Sequence, residues 1–441
     1  TAGSATPGHP EYGHTAGVET TTGPLGQGVA NAVGLAMAQK HARALVAPQD
    51  PDNLFDTHVF VLAGDGCLQE GVSAEASSLA GHLQLSNLIL IYDDNKISID
   101  GSTDLSFSED VSSRYRSYGW DVIEVNKLDN GDIDLAALDT ALHKARTSQV
   151  KPTLIRMQTT IAWPAPSLQG SAKSHGSALG KDEVAATKAV LGLDPAVDFF
   201  VDEIALAHAR QVSDRGAAAE ADWRTRLAEL RNNEPEAYQR FEQMQAAIDL
   251  STAESLLPRW EAGTKVATRK ASQAVLNALV PALPQMWGGS ADLSESNGTL
   301  IEHSGSVSAQ DWAARNIHFG IREHAMGAIL NGITLHGLTK PFGGTFFVFS
   351  DYMRGSVRLA ALMDVPSIFV WTHDSIGVGE DGPTHQPIEH VASLRAIPNF
   401  TVIRPADANE VAVTWREIIK RQEPVRSEEH TSELQSRETI S

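Results

Sequence analysis

Two short segments set an acidic or amide side chain beside glycine or aspartate just after an apolar run. His58-Val59-Phe60-Val61-Leu62-Ala63 leads into Gly64-Asp65-Gly66, and Asn87-Leu88-Ile89-Leu90-Ile91 leads into Tyr92-Asp93-Asp94-Asn95. Apolar runs of this length, rich in Val, Ile and Leu, predict buried strands of a parallel sheet. Ligands of such sheets sit beyond the carboxyl ends of the strands. Asp65 and Asn95 therefore fall where a hard cation and a phosphate can be held. Asp supplies a carboxylate, Asn a carbonyl oxygen, and Gly66 lets the backbone approach a diphosphate closely. Plain turn chemistry is the alternative for such residues, and Asp93-Asp94 is read that way.

The elements around these segments alternate as in an open α/β sheet over residues 1–160. Helices are predicted over 27–38 and 71–85, and a strand over 151–157; Pro164 to Gly180 is a loop with His175 near its middle. Residues 182–250 are helical and charged, with Trp223, Leu227, Leu230, Tyr238 and Phe241 turned inward. A second α/β unit starts near Thr264. It has a helix at 269–280, a strand into Gly288-Gly289-Ser290, a helix over 322–336 and a strand over 367–371. A helix at 408–421 should lead into a further strand. From Arg426 the chain reads RSEEHTSELQSRETIS, which resembles a translated sequencing-library adapter and is given no element; a natural disordered tail has the same composition. The expected domains are 1–235, a linker at 236–263, a second unit at 264–425 and the tail at 426–441.

The 441 residues carry 35 basic and 55 acidic side chains, a net charge of -20, which argues against nucleic acid as the main partner. A small phosphorylated substrate needs only a local basic cluster. Cys67 is the sole cysteine, so no intrachain disulfide forms, and a reducing, cytoplasmic setting is expected. No apolar run is long enough for a membrane span, and no membrane partner is expected.

Longer motifs then converge. They include Thr6-Pro7-Gly8-His9-Pro10-Glu11, Gly17 to Gly28 (GVETTTGPLGQG), Gly64-Asp65-Gly66-Cys67, Asp93 to Ile99 (DDNKISI) and Ser174-His175-Gly176. In the second unit come Thr268 to Ser272 (TRKAS), Gly289 to Leu293 (GSADL), Gly320 to His324 (GIREH), Gly344 to Phe349 (GTFFVF) and His373 to Gly377 (HDSIG). Gly379 to Pro387 (GEDGPTHQP) completes the series. From Thr6 to about Pro424 the chain resembles the transketolases. The resemblance implies a fold of two parallel-sheet domains of the thiamine-diphosphate (ThDP) binding type joined by a helical linker. Family chains carry more than this one. The start of the first domain with two further active-site histidines, the end of the second with a phosphate-binding arginine, and a C-terminal domain are expected to lie outside this sequence.

By that resemblance the activity is reversible transfer of a two-carbon ketol group from a ketose phosphate of the xylulose 5-phosphate type to an aldose phosphate, a pentose phosphate pathway reaction. Related ThDP chemistry, such as that of dihydroxyacetone synthase, and a catalytically silent fragment are the alternatives. Bond cleavage beside the carbonyl leaves a carbanion that no side chain stabilises well, so ThDP serves as the electron sink. The resemblance assigns Mg²⁺, or another divalent cation, to Asp65, Asn95 and the Ile97 carbonyl. It assigns cofactor contacts to Gly23, Pro24, Leu25, Gly66, Asn95, His175, Asp292, Phe346, Phe349 and Tyr352. It makes Glu323 the catalytic carboxyl, expected to be buried, protonated and bonded to the aminopyrimidine ring. His175 and His385 are the other catalytic groups. Arg269, Ser296 and His373 face the substrate phosphate, and His9, His175, Asp381 and His385 its hydroxyls and reacting carbon. His14, His41, His58, His82 and His318 are read as structural or surface, and His324 is left unassigned. The family site is shared between subunits, so a homodimer is expected.

Overall fold

The computed structural model describes residues 8–48, 54–148, 150–420 and 437–440. Thr6 and Pro7 of the first motif, and 426–436 of the tail, lie outside the described residues. In the first unit, helices α1 (Gln27–Val46), α2 (Asp65–Gln69), α3 (Gly71–His82), α4 (Val111–Ser117) and α5 (Leu135–Arg146) alternate with strands β1 (Val59–Gly64), β2 (Leu88–Asp94), β3 (Asp121–Val125) and β4 (Thr153–Gln158). All four strands are parallel, in the order β1-β2-β4-β3. Leu88, Ile89, Leu90 and Tyr92 of β2 are buried, as its apolar run predicts. β1 departs from the expectation of a buried strand. It lies at the sheet edge, with Phe60 50% and Leu62 78% exposed. An apolar run is buried on both faces only where both faces are covered, and no described element covers this one.

The helical stretch is α6 (Lys181–Val190), α7 (Glu203–Asn233), α8 (Pro235–Gln245) and α9 (Leu250–Leu256). Its inward residues are the predicted ones: Leu230 and Phe241 are buried with Ala42, Val46, Leu54 and Phe55, flanked by Trp223, Leu227 and Tyr238. The second unit comprises α10 (Thr268–Leu279), β5 (Met286–Ser290), α11 (Ser294–Asn297), β6 (Asn316–His318), α12 (Glu323–His336), β7 (Lys340–Phe346), α13 (Arg354–Met363), β8 (Ile368–Thr372), α14 (His390–Arg395), β9 (Phe400–Ile403), α15 (Ala408–Lys420) and β10 (Arg437–Ile440). Its parallel sheet runs β6-β5-β7-β8-β10-β9. α15 buries Val411, Ala412, Trp415, Ile418 and Ile419, one stripe at helical spacing. The Trp415 indole N–H donates to Ser272 Oγ of α10 at 2.9 Å.

β10, at Arg437–Ile440, is a strand within a stretch that was given no element from sequence. Thr439 pairs with Phe369 of β8 and Arg437 with Phe400 of β9, so α15 does lead into a strand. Main-chain ladder bonds need no apolar pattern, which is why a polar segment showed no sign of this role.

The two units meet along α1 and α12, both buried nearly all round. Backbone packs on backbone there: a Cβ at Gly34 would lie 2.1 Å from the Ile329 carbonyl oxygen, and one at Gly332 1.9 Å from that of Asn31. Side chains stitch the same junction. The His41 ring stacks on Trp287 with centroids 3.9 Å apart, and His336 Nε2 bonds Gln39 Oε1 at 2.7 Å.

Candidate active site

The first group of site residues lies at the carboxyl ends of β1 and β2. β1 ends at Gly64, and Asp65, opening α2, is buried. Its Oδ1 accepts from the Tyr92 hydroxyl at 2.7 Å and its Oδ2 from the Lys96 backbone N–H at 3.1 Å. Burial pushes its carboxyl above the usual range, with Tyr92 pulling the other way. Asn95 is half-buried, and its Oδ1 accepts from the Ile97 N–H at 3.0 Å, which places amide and Ile97 backbone side by side. The donor set is a carboxylate, an amide oxygen and a backbone carbonyl, the chemistry that suits a hard divalent cation.

Asp93 and Asp94 are the last residues of β2 rather than turn residues. Asp94, buried, pairs with Arg156 Nε at 2.6 Å and Lys96 Nζ at 3.1 Å, and Asp93 accepts from the Thr159 hydroxyl. The strand outlasts its apolar run because these carboxylates find Arg156 of β4, the Thr159 hydroxyl just past it, and Lys96 just past β2.

The Gly23-Pro24-Leu25 segment is exposed and leads into α1. Gly23 has φ 113°, a conformation glycine adopts without strain, and the His9 ring sits over it: a Cβ there would be 3.2 Å from His9 Cε1. A Cβ at Gly66 would be 2.8 Å from Leu25 Cδ1. So His9, Gly23, Leu25 and Gly66 come together beside the Asp65–Asn95 oxygens.

The second group is aromatic and cationic. Phe346 ends β7, Phe349 lies in the 3₁₀ turn Phe347–Asp351, and Tyr352 follows it. At three residues per turn their rings stack in a row, with centroids 6.1 and 6.0 Å apart. The His385 ring stands edge-on to Phe349 at 5.3 Å, and His373 lies 3.8 Å from Phe346. His373, at φ 59°, points Nε2 toward Arg269 Nη1 at 3.3 Å. Burial, then the Arg269 charge, hold the imidazole below its usual pKa, so it is neutral near pH 7. Arg269 and His373 line a cleft of about 220 Å³ with Thr268, Ser272, Thr372 and Ser375. A cationic fork and hydroxyls around a cleft of that size suit a phosphate.

Ser296, exposed in α11, is carried close by: a Cβ at Gly298 would meet the Arg269 carbonyl oxygen at 2.5 Å. Asp381 is exposed and its charge acts on His373. Asp292 is exposed at φ 62° just past β5. His175 is exposed at the end of the turn Ala172–Ser174; among the described residues it hydrogen-bonds to none of the other site side chains.

Glu323 is the first residue of α12, half-buried, and burial raises its carboxyl above the usual range. Its surroundings hold residues that sequence reasoning passed over. Glu75 of α3 accepts from the Ala325 N–H at 2.9 Å, and its own carboxyl is raised by burial and by the Glu323 charge. Arg322 donates to Ser78 Oγ at 3.1 Å, and the Gln27 amide donates to His324 Nε2 at 2.7 Å. His324, unassigned from sequence, is therefore a neutral acceptor at the junction, its pKa lowered by burial. Glu75 sits in a correctly predicted helix, but its partner lies 250 residues away, and no local pattern signals such a contact.

Two parallel-sheet units, one with a hard-oxygen donor set at the ends of its strands and one with a row of aromatic rings and a separate raised carboxyl, define a two-domain α/β class with donors for a hard cation and a wall for a flat ring. Family models agree over almost the whole chain. The transketolase thiamine diphosphate binding domain matches residues 1–248, and the transketolase pyrimidine binding domain residues 264–435. The chain belongs to the transketolase family. It is 51% identical over 433 residues to the transketolase of Mycobacterium leprae, covering 96% of this chain, and 52% identical over 418 residues to that of Geobacillus stearothermophilus, covering 94%. It spans 61% of the length of these relatives. Transketolase from Leishmania mexicana superposes with TM-score 0.91 at 46% identity, over 100% of this chain and 63% of that one. A Pichia stipitis transketolase solved with sedoheptulose 7-phosphate has TM-score 0.91 at 42% identity, over 100% of this chain and 64% of that one.

Proposed function

We propose that this chain carries transketolase activity, the reversible transfer of a two-carbon ketol group from a ketose phosphate to an aldose phosphate. The observation that carries the reading is Glu323, a carboxyl raised by burial at the start of α12 and set against the Glu75 carboxylate. When bound, ThDP supplies the electron sink for the bond that is cleaved. Asp65, the Asn95 side-chain oxygen and the Ile97 carbonyl would hold Mg²⁺ or a similar cation. Gly66, Gly23, Pro24 and Leu25 take the diphosphate and ring edge. Phe346, Phe349, Tyr352, Asp292 and His175 would enclose the aromatic part and exclude water. Glu323, its carboxyl raised by burial, would hold a proton at its carboxyl oxygen and offer it in a hydrogen bond to the bound aromatic group.

Arg269, Ser296 and His373 receive the substrate phosphate, while His9, His175, Asp381 and His385 read its hydroxyls and move protons at the reacting carbon. The Pichia stipitis complex with sedoheptulose 7-phosphate supports a sugar phosphate as substrate. Apolar groups from both halves of the cofactor set are exposed, Leu25 at 52%, Ile321 at 76% and Tyr352 at 66%, which supports a homodimer whose second subunit covers them. The domain limits are taken as 1–235, 236–263 and 264–425, with β10 from the segment 426–441 adding a strand to the second sheet. No helix among the described residues is long and apolar enough to cross a membrane, and a cytoplasmic location fits the single cysteine.

Calorimetric titration of ThDP with Mg²⁺ tests the binding half, with saturable binding expected and loss in Asp65→Ala. Turnover with ribose 5-phosphate against formaldehyde as acceptor tests the chemistry. Clear preference for formaldehyde would replace this reading with that of dihydroxyacetone synthase.

A further inference from the structure

A buried imidazole outside the site described above faces two carboxylates that, among the described residues, have no other charged partner. His390 opens α14, and its side chain is only 6% exposed. Its Nε2 lies 3.2 Å from Asp351 Oδ2, and its Nδ1 lies 3.9 Å from Glu389 Oε2. Neither ring nitrogen makes a hydrogen bond, an expensive state for a buried polar group. The ring is seated against Phe347, centroids 5.6 Å apart, so it cannot swing out to water without giving up that contact. Asp351 and Glu389 are 60% and 73% exposed, and among the described residues neither is paired with Lys or Arg. The nearby guanidinium of Arg354 is committed to the Ser393 hydroxyl and carbonyl, both at 3.0 Å.

We propose that Asp351, Glu389 and His390 bind a divalent transition metal of the Zn²⁺ or Co²⁺ kind, at a site separate from the Asp65 oxygens. One ligand atom from each residue lies within 4.8 Å of the other two, close enough for small side-chain rotations to converge on one ion. One imidazole with two carboxylates is a borderline donor set, preferring Zn²⁺ or Co²⁺ over Mg²⁺. The exposed carboxylate side leaves water to complete the shell and gives the ion an entry path. The ion would tie the turn Phe347–Asp351, which carries Phe349, to α14, which follows the segment bearing His385. It would thereby brace two walls of the aromatic group from behind.

The test uses Co²⁺ as the probe on the full chain, with and without saturating ThDP and Mg²⁺. Visible d–d absorption should appear with one equivalent of Co²⁺ in both conditions and be displaced by Zn²⁺. Affinity should fall at least about 10-fold in His390→Gln and in Glu389→Gln, an exposed position where folding is not at stake, and should be unchanged in Asp65→Asn. Absence of the band, or an affinity in both variants unchanged from the parent chain, would overturn the proposal. Loss of the band in Asp65→Asn instead would assign the signal to the other site, which also overturns it.

Discussion

Substituting Gly34 by Ala adds one methyl group where α1 crosses α12 with backbone against backbone. The new Cβ would stand 2.1 Å from the Ile329 carbonyl oxygen and 2.9 Å from the Ile333 nitrogen. Ordinary contact begins near 3.4 Å, so the helices must part by about 1 Å. No rotamer can absorb this, because the opposing atoms are main chain. Overpacking costs about 1–3 kcal/mol, and the upper end applies here. Parting the helices also strains the 2.7 Å bond from Gln27 to His324 and moves Glu323 relative to Glu75. Gly216, inside α7, is the control, since a Cβ there meets nothing within 4 Å. Gly216→Ala should stabilise by about 0.5–1 kcal/mol. Urea unfolding followed by Trp fluorescence reads both, comparing first-transition midpoints because a chain of several domains need not unfold in one step. The prediction is a loss of about 3 kcal/mol for Gly34→Ala, with ThDP affinity down about 10-fold or more. A Gly34→Ala chain within about 0.5 kcal/mol of the parent would refute the packing argument.

Other consequences concern charge. Burial raises the Glu323 carboxyl, so ThDP-dependent turnover should fall as pH rises through its folded pKa, and Glu323→Gln should lose about 10²–10⁴-fold in rate together with that limb of the profile. The native state also holds this proton more tightly than the unfolded chain. Parent stability should therefore drop relative to Glu323→Gln as pH climbs from about 4 through the folded pKa, which paired pH-resolved melts would reveal. Arg156→Ala leaves the buried Asp94 with Lys96 as its one cation, beside the Tyr92 hydroxyl, and should cost about 2–3 kcal/mol in denaturant unfolding, less than a wholly orphaned charge. Arg269→Ala should raise KM for a phosphorylated ketose about 10-fold or more and leave an unphosphorylated one nearly unchanged; equal effects on both would remove Arg269 from phosphate binding.

Much of the fold was legible because its signals are local. The apolar runs before Asp65 and Asn95 became β1 and β2, and the stripes at 269–280, 322–336 and 408–421 became α10, α12 and α15. β7 was given no element from sequence, since Lys340-Pro341-Phe342-Gly343-Gly344 has no run of strand-forming residues. Its Lys340 is buried because Nζ donates to the Ile418 and Ile419 carbonyls at the end of α15, a partner no local window contains. The exposure of Phe60 and Leu62 on β1 depends on strand order, which composition does not encode. At the site, motif resemblance reached Arg269, His373, Phe346, Phe349 and His385, and the structure does bring these together. Glu75 and Gln27 were missed because each acts across the junction of the two units, through contacts that exist only after α1, α3 and α12 have packed.

The central claim is ketol transfer that depends on the Glu323 carboxyl, and one assay addresses it directly. The purified chain is supplied with xylulose 5-phosphate, ribose 5-phosphate, ThDP and Mg²⁺, and product formation is followed beside Glu323→Ala. The account predicts turnover that requires ThDP and Mg²⁺ and falls at least about 10²-fold in Glu323→Ala. No product from the parent chain, or equal rates in the two, would contradict it.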